Sequence, residues 1–141
     1  MQQLMRDTGC LVSLHRSEGF GYVLADAMAV GIPVIATDYS GNVDFCDAQT
    51  SFPVSYRLVP VEAHGALWED SDTYWAEPDI EAAATQMRRV YEDYPEALRK
   101  AAAGRENLRA RYSAEAFAAT LRKRLTALTE RSGIDPTPAV H

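Results

Sequence analysis

Two glycines and an acid occupy the segment EGFG, residues 18–21, where a short apolar run gives way to a helical pattern. Gly19 and Gly21 let a ligand approach the backbone closely, and the free N–H groups at a helix N-terminus favour an anion such as phosphate. A single G-x-G is weak evidence for a binding site. The full dinucleotide-binding pattern G-x-G-x-x-G is not met, since Leu24 stands where its third glycine would be. Two interpretations stay open: the loop binds an anion, or its glycines only shape a tight turn.

A second acid, Asp26, lies inside the predicted helix, while Glu18 precedes that helix. Its neighbours in the chain are apolar, and an acid in such a setting usually has a partner. A carboxylate at this position is able to accept two hydrogen bonds from a vicinal diol such as a ribose. The alternative is an ordinary solvated helix residue.

Polar residues also follow the next apolar run, in the segment TDYSGN, residues 37–42. Gly41 offers a further backbone amide, and Asp38, Ser40 and Asn42 are able to bind a ligand or to cap the following turn. Capping is the favoured interpretation for Ser40 and Asn42. In the first loop, Arg16 is a candidate phosphate partner. His15 is equally well explained as an ordinary loop histidine, and we do not name it as a catalytic base.

The elements that must position these loops are short strands and helices in alternation. Cys10–Leu14 and Pro33–Ala36 are short apolar runs typical of buried parallel strands, and a helix over 20–30 connects them, with Gly31 and Pro33 ending it. One further strand is predicted within 51–61, followed by an excursion loop over 62–74. Helices are predicted after Asp79, from Pro95 and after Ser113, the last with a buried face of four residues: Phe117, Leu121, Leu125 and Leu128. The pattern predicts an α/β fold with an incomplete Rossmann-like parallel sheet of about three strands.

The bulk properties narrow the class of protein. The chain has 141 residues and a net charge of -6, which argues against a nucleic-acid surface. The two cysteines lack metal-ligand spacing, and the sequence has neither an apolar run long enough for a membrane span nor a signal peptide. We expect a soluble cytoplasmic protein with a partial Rossmann-like part over 1–95, C-terminal helices over 96–131 and a disordered tail over 132–141. The apolar character of the strand at Cys10 suggests a central strand whose neighbour is missing, and hence the C-terminal part of a longer protein.

The segment SEGFGYVLADAMAVGIPVIATDYSGNVDF resembles the signature region of the family-four, group 1 glycosyltransferases, which have the GT-B fold. The resemblance is dense over residues 13–45, and SLHRSEGFG with YSGN looks like a bacterial branch that serves polysaccharide biosynthesis. It continues more loosely into WAEPDIEAAATQMRRVYED. The chain would correspond to the C-terminal, donor-binding half of such an enzyme.

The resemblance implies transfer of a sugar from a nucleotide-sugar donor with retention of configuration, without a metal or other cofactor. Glu18 would bond to the donor sugar and act in catalysis, and Asp26 would hold the ribose. The other donor-binding positions that match the family's pattern are Arg16, Gly19, Phe20, Gly21, Val23, Leu24, Gly41 and Asn42. Helix dipole and basic residues would stabilise the departing nucleoside diphosphate.

Two departures from the family's pattern bear on these expectations. The second acid is Asp26 where the family has glutamate, one methylene longer, so the ribose contact would be weaker or water-mediated. The N-terminal acceptor domain and the basic pair that grips the diphosphate would also be missing, so the isolated chain is expected to be inactive and to bind donor weakly. The acceptor, a saccharide or lipid-linked saccharide, is not specified. The alternatives are a non-catalytic module that binds nucleotide-sugars or phosphate, and an inactive truncated remnant.

Overall fold

The computed structural model of the chain describes residues 8–61 and 73–132. The chain forms two compact units, Met1–Leu108 and Arg109–His141. The division predicted from the sequence, with its boundary at residue 95, stays a prediction, and the tail predicted to be disordered lies, from residue 133 onward, outside the described residues.

A parallel sheet of three short strands forms the centre of the first unit. The strands β1 (Leu11–Ser13), β2 (Val34–Thr37) and β3 (Phe52–Val54) stand in the order β1-β2-β3. Helix α1 (Tyr22–Val30) connects β1 to β2, as the pattern predicted. The α/β fold with a three-stranded parallel sheet is therefore confirmed, and its loops open at the carboxyl ends of neighbouring strands.

The core lies on both faces of β2, which is buried along its whole length. Val34 and Ala36 pack into one apolar cluster with Leu24, Met28 and Phe45, while Ile35 packs into another with residues of β3 and of the helices that follow. This alternation follows from the two-residue period of a strand. The sheet is thus covered on both faces, as parallel sheets usually are.

Strand β1 is shorter and less buried than predicted. Within the described residues it pairs with β2 alone, so it is an edge strand of this sheet, and the side chain of Val12 is exposed. The sequence pattern suggested a central strand because the run is apolar throughout. Such a run indicates burial but does not reveal how many neighbours the strand has. The interpretation that neighbouring strands are missing stays a prediction.

The prediction of a single strand within 51–61 is wrong. After β3 a new strand, β4 (Tyr56–Pro60), pairs antiparallel with β5 (Tyr74–Pro78), with Leu58 opposite Ala76. Pro53 is accommodated because β3 is an edge strand of the parallel sheet, where a missing N–H is tolerated. The loop predicted over 62–74 lies largely outside the described residues, and its last residue, Tyr74, begins β5.

The three later helices begin where the sequence predicted. Asp79 caps α2 (Ile80–Glu92) by accepting from the backbone N–H groups of Glu81 and Ala82. Helix α3 spans Tyr94–Tyr112, with Pro95 in its first turn, and α4 spans Ala114–Ser132, with Ser113 accepting from the N–H of Ala116.

The predicted apolar faces of these helices are only partly buried. On α2, Ala83 and Val90 are buried, whereas Met87 and Tyr91 are exposed and line an apolar groove of about 420 Å³ beside Val12. On α4, all four residues of the predicted buried face are exposed, so that prediction is wrong. Helical spacing identifies an apolar face but does not supply a surface to cover it. None of the helices within the described ranges is both long and apolar enough to cross a membrane.

Candidate functional site

The loops that follow β1 and β2 meet at one edge of the parallel sheet. The strands are adjacent and in register, with Ser13 opposite Ala36, so their carboxyl ends stand side by side. In open α/β sheets this edge is where ligands bind. The two segments predicted to carry the chemistry, residues 15–21 and 37–42, are therefore brought together.

Backbone-mediated hydrogen bonds join the two loops at Glu18. The N–H of Glu18 donates to Ser40 Oγ over 2.7 Å, and the Ser40 hydroxyl lies 2.7 Å from the Glu18 carbonyl oxygen. The N–H of Gly41 donates to the same carbonyl over 3.1 Å. The backbone that carries the Glu18 side chain is thus fixed on both sides by the second loop.

Ser40 does not cap the turn that follows it, so the favoured interpretation from the sequence is wrong for this residue. The 3₁₀ turn Gly41–Asp44 has no side-chain cap hydrogen bond, and Ser40 has a φ of 71°. This positive φ is unusual for a residue other than glycine and is tolerated where surrounding contacts hold it. The hydroxyl bonds across to Glu18 instead, a contact between distant segments that no local sequence pattern indicates.

Gly41 is required by the contact between the loops. A Cβ atom at this position would stand 1.9 Å from the carbonyl oxygen of Gly19 and 3.1 Å from the Cα of Phe20. At Gly19 an added Cβ would meet nothing within 4 Å. Of these two predicted donor-binding glycines, Gly41 therefore has a structural reason to be glycine, while at Gly19 a side chain would extend into open space.

Asn42 is buried beneath the two loops and bonds within the chain. Its Nδ2 donates to the carbonyl of Thr37 over 2.9 Å, which leaves Oδ1 to accept from His15 Nε2 over 3.0 Å. His15 Nε2 also lies 3.2 Å from the carbonyl of Tyr39, and its Nδ1 lies 3.2 Å from Ser13 Oγ. Since Nε2 faces two acceptors, it carries the proton, and Nδ1 is free to accept from Ser13. The side chain of Asn42 does not cap the turn, so that interpretation is also wrong.

The N-terminus of α1 opens toward the same edge. Its N-cap, Gly21, has a φ of 89° and a ψ of 50° and provides no side-chain hydrogen bond. The first intrahelical bond runs from the N–H of Ala25 to the carbonyl of Gly21, so the amides of residues 22–24 have no partner within the helix. Leu24 is buried in the core, while Tyr22 and Val23 are exposed. The helix start therefore presents N–H groups that have no intrahelical partner, which is the arrangement an anion site uses.

Phe20 anchors the loop to the core. Its ring centroid lies 5.1 Å from that of Phe45 and 5.1 Å from that of Tyr22. A large apolar side chain between the two glycines holds the loop against the core, with Gly19 exposed and Gly21 buried.

The two acids predicted to contact a ligand occupy different environments. Glu18 is half-buried, and its carboxylate accepts no hydrogen bond from any residue in the described ranges. Asp26 lies on the exposed surface of α1, not in the apolar setting that its sequence neighbours suggested, because those neighbours face the core while Asp26 faces away from it. Each carboxylate is accessible to a ligand, but Glu18 is the more buried of the two.

Arg16 is bound by the hairpin that the sequence did not predict. Its guanidinium forms an ion pair with Glu77 at 2.5 Å and lies 4.7 Å from the ring centroid of Trp75, both on β5. Its carbonyl also accepts from the N–H of Ala76 over 2.9 Å. The sequence predicted Arg16 as a partner for a ligand phosphate. In the structure its guanidinium is engaged by Glu77 and Trp75.

Tyr39 of the second loop touches the same hairpin. Its ring centroid lies 5.0 Å from that of Tyr56 on β4. The hairpin therefore contacts both loops and adds Tyr56, Trp75 and Glu77 to the surroundings of the site. The separation of more than fifty residues between Arg16 and β5 explains why local sequence patterns did not reveal this.

The cysteines are not part of the site. Burial raises the pKa of the Cys10 thiol to about 11 and that of Cys46 to about 12, so both stay protonated at neutral pH. A protonated thiol is a poor nucleophile and metal ligand. Within residues 8–61 and 73–132 no three His, Cys, Asp or Glu side chains are grouped as a metal ion would require. Transfer without a metal stays a prediction.

A comparison with protein-family models identifies relatives of the chain. A model described as "Family 4 Glycosyltransferase in conflict systems" matches residues 1–121. The match includes both loops, α1 and the hairpin. The search of curated proteins found no match.

Proposed function

Because this chain belongs to the family 4 glycosyltransferases in conflict systems, we propose that it forms the donor-binding part of a retaining glycosyltransferase of the group 1 type, with a nucleotide-sugar as donor. One observation carries the proposal. The uncapped N-terminus of α1 shares a sheet edge with Glu18, whose backbone is held by the second loop. A helix N-terminus suits a diphosphate, and a carboxylate beside it suits sugar hydroxyls.

The diphosphate binds at the start of α1. The amides of residues 22–24 have no intrahelical partner, and the exposed side chains of Tyr22 and Val23 leave the helix end accessible. The partial positive charge of the helix N-terminus stabilises negative charge there by typically 0.3–1 kcal/mol, and by more where the site is partly buried. The same charge favours departure of the nucleoside diphosphate, which carries more negative charge as its bond to the sugar breaks.

The donor sugar binds at Glu18 and the ribose at Asp26. Ser40 and Gly41 fix the backbone of Glu18, so its carboxylate is held on a rigid loop and accepts from sugar hydroxyls. Asp26 lies on the exposed face of α1, a little over one turn from the helix start, and accepts from the ribose diol. Sugar, diphosphate and ribose thus lie in that order along the edge. Gly19, Phe20 and Gly21 form the wall between Glu18 and the helix.

Donor binding by this chain is weak. Arg16, the cation of the first loop, is engaged by Glu77 and Trp75, so its charge is partly neutralised before a diphosphate arrives. The acceptor is a saccharide or lipid-linked saccharide, and no metal takes part. Catalysis rests on electrostatic stabilisation by the helix terminus and on positioning of the sugar by Glu18.

An amide chemical-shift titration tests the proposal. The ¹⁵N-labelled chain is titrated with a UDP-sugar and with a GDP-sugar, and the amides of residues 19–24 are expected to shift at millimolar concentration. The amides of the turn 47–50, which is not part of the proposed site, serve as an internal control. Shifts confined to residues outside the two loops and α1, or no shift at millimolar donor, would contradict the proposal.

A further inference from the structure

A cavity lies at the base of the β4–β5 hairpin, where β4 begins and β5 ends. Its volume of about 340 Å³ falls within the range of small-ligand sites, which is about 300–1,000 Å³. Six residues line it: Ser55, Tyr56, Arg57, Glu77, Pro78 and Asp79. Four of them stand opposite each other in the hairpin, Tyr56 across from Pro78 and Arg57 across from Glu77. The pairing of the two strands therefore builds the cavity.

The cavity lining keeps polar groups in reserve. Glu77 uses its Oε2 for the ion pair with Arg16, and Asp79 uses its Oδ1 for the cap of α2. Ser55 Oγ donates to the other oxygen of Asp79 over a long 3.4 Å. Among the described residues, neither Oε1 of Glu77 nor the guanidinium of Arg57 has a hydrogen-bond partner. Acceptors and donors are thus both available beside the ring of Tyr56.

This set of groups suits a sugar ring. A carboxylate accepts two O–H groups and a guanidinium donates to two oxygens, which matches the neighbouring hydroxyls of a pyranose. The C–H face of a pyranose is apolar and packs against an aromatic ring such as that of Tyr56. A phosphate is disfavoured, because two carboxylates and one arginine line the cavity. An apolar ligand is disfavoured as well, since it would desolvate these charges without bonding to them.

The cavity borders the edge of the sheet where the donor is proposed to bind. The ring centroid of Tyr56 lies 5.0 Å from that of Tyr39 in the second loop. Glu77 pairs with Arg16, which precedes Glu18 by two residues. Two residues of extended chain span at most about 7 Å, so the backbone that carries Glu18 is close to the residue that Glu77 holds.

We infer that this cavity binds a sugar ring of the acceptor saccharide. Tyr56 supplies the surface for the ring, and Glu77 and Arg57 bond to its hydroxyls. The role as acceptor site rests on the proposed function, because the donor sugar must lie at the neighbouring edge. The family resemblance implied an acceptor domain outside this chain, and the inference adds contacts that this chain itself would make.

A chemical-shift titration of the ¹⁵N-labelled full chain tests the inference. The ligands are the methyl glycosides of glucose, galactose and mannose, with sorbitol as an open-chain polyol that lacks a ring face. At least one glycoside is expected to shift the amides of residues 55–57, 77 and 79, with a Kd on the order of millimolar. Sorbitol should shift them less. No shift with any of the three glycosides at about tenfold that concentration, or equal shifts with sorbitol, would overturn the inference.

A matched pair of variants tests the aromatic surface. Tyr56→Leu keeps apolar bulk against Tyr39 but removes the ring, and it should weaken glycoside binding by about threefold or more. Tyr74→Leu makes the same change at the other end of the hairpin, at an exposed position outside the cavity, and should stay within about twofold. Circular dichroism checks that both variants are folded. Equal losses in the two variants would overturn the role of Tyr56.

Glu77→Gln provides a test with opposite signs for the two ligands. It removes a charged acceptor from the cavity, so glycoside affinity should fall by about threefold or more. The same change releases Arg16, so affinity for UDP or GDP should not fall. A misfolded variant would lose both. Unchanged or higher glycoside affinity would overturn the role of Glu77 in the cavity.

The donor titration separates failure of this inference from failure of the proposed function. If the nucleotide-sugars shift the amides of residues 19–24 and no glycoside shifts those of the cavity, only the inference fails. If the glycosides bind at the cavity but no nucleotide-sugar shifts residues 19–24, the proposed function fails, and the role as acceptor site fails with it.

Discussion

A Cβ atom on Gly41 would stand 1.9 Å from the carbonyl oxygen of Gly19. The loops after β1 and β2 therefore contact each other backbone to backbone, with no room for a side chain at this point. The hydrogen bond from the N–H of Gly41 to the carbonyl of Glu18 exists only because of this close approach. The position of Glu18 thus depends on a glycine in the other loop.

The two glycines should respond very differently to alanine. Gly41→Ala forces the loops apart, and we expect it to lower the free energy of unfolding by about 3 kcal/mol, in the range of overpacking substitutions. Gly19→Ala adds a methyl group in open space at an ordinary φ and should change it by less than about 0.5 kcal/mol. Urea denaturation of both variants measures the difference, and equal stabilities would contradict the packing described.

Removal of the buried amide of Asn42 should destabilise the site. Asn42→Ala leaves the carbonyl of Thr37 and the Nε2–H of His15 without this partner, so we expect a loss of about 2 kcal/mol in the free energy of unfolding. Val43→Ala, an exposed position on the same turn, is the matched control and should stay within about 0.5 kcal/mol. A comparable loss in both variants would mean that the turn, and not the amide, is responsible.

Release of Arg16 should strengthen binding of nucleoside diphosphates. Glu77→Gln removes the carboxylate of the ion pair and leaves Trp75 in place, so the guanidinium becomes available to phosphate. Because a partly exposed ion pair is worth at most ~1 kcal/mol, we expect affinity for UDP or GDP to rise by up to about fivefold. Calorimetry measures the change, with Glu81→Gln on α2 as the control. An unchanged or lower affinity would remove Arg16 from the donor site.

Asp47 should make the free energy of unfolding depend on pH below about pH 4. Partial burial alone would raise the pKa of Asp47, but hydrogen bonds from Gln49 and Thr50 outweigh it, and the pKa is lowered overall. The folded-state pKa thus lies below the unfolded value of about 3.9, so this stabilisation is present above that pH and is lost as pH falls through the folded pKa. We expect Asp47→Ala to be less stable than the parent at pH 7 and the gap to narrow below about pH 4. Thermal melts across this range test the sign, and a gap that widens on acidification would contradict it.

The parts of the fold predicted from sequence are those set by neighbouring residues. The spacing of Leu24, Ala27 and Met28 and the stop at Gly31 define α1, and Asp79 marks the start of α2 by the cap it forms. The prediction that both loops open at one sheet edge followed from the strand-helix-strand order alone. These features need no knowledge of distant contacts.

The features that sequence did not reveal arise from long-range contacts. The pairing of β4 with β5 and the ion pair between Arg16 and Glu77 join segments far apart in the chain. Asn42 was a polar loop residue by sequence, yet it is buried because His15 and Thr37 satisfy its amide. The apolar face of α4 shows the reverse case, where helical spacing is correct but the expected burial is absent.

Calorimetry with paired ligands tests most directly whether Glu18 contacts the donor sugar and Asp26 contacts the ribose. Affinities for a nucleotide-sugar and for the matching nucleoside diphosphate are measured for the parent chain, Glu18→Gln and Asp26→Asn. We predict that Glu18→Gln weakens binding of the nucleotide-sugar by about tenfold and leaves the diphosphate unchanged, since the latter has no sugar at that position. Asp26→Asn should weaken both ligands by the same factor, because both contain the ribose. If Glu18→Gln weakens both ligands equally, or changes neither, the proposed arrangement of the donor is wrong.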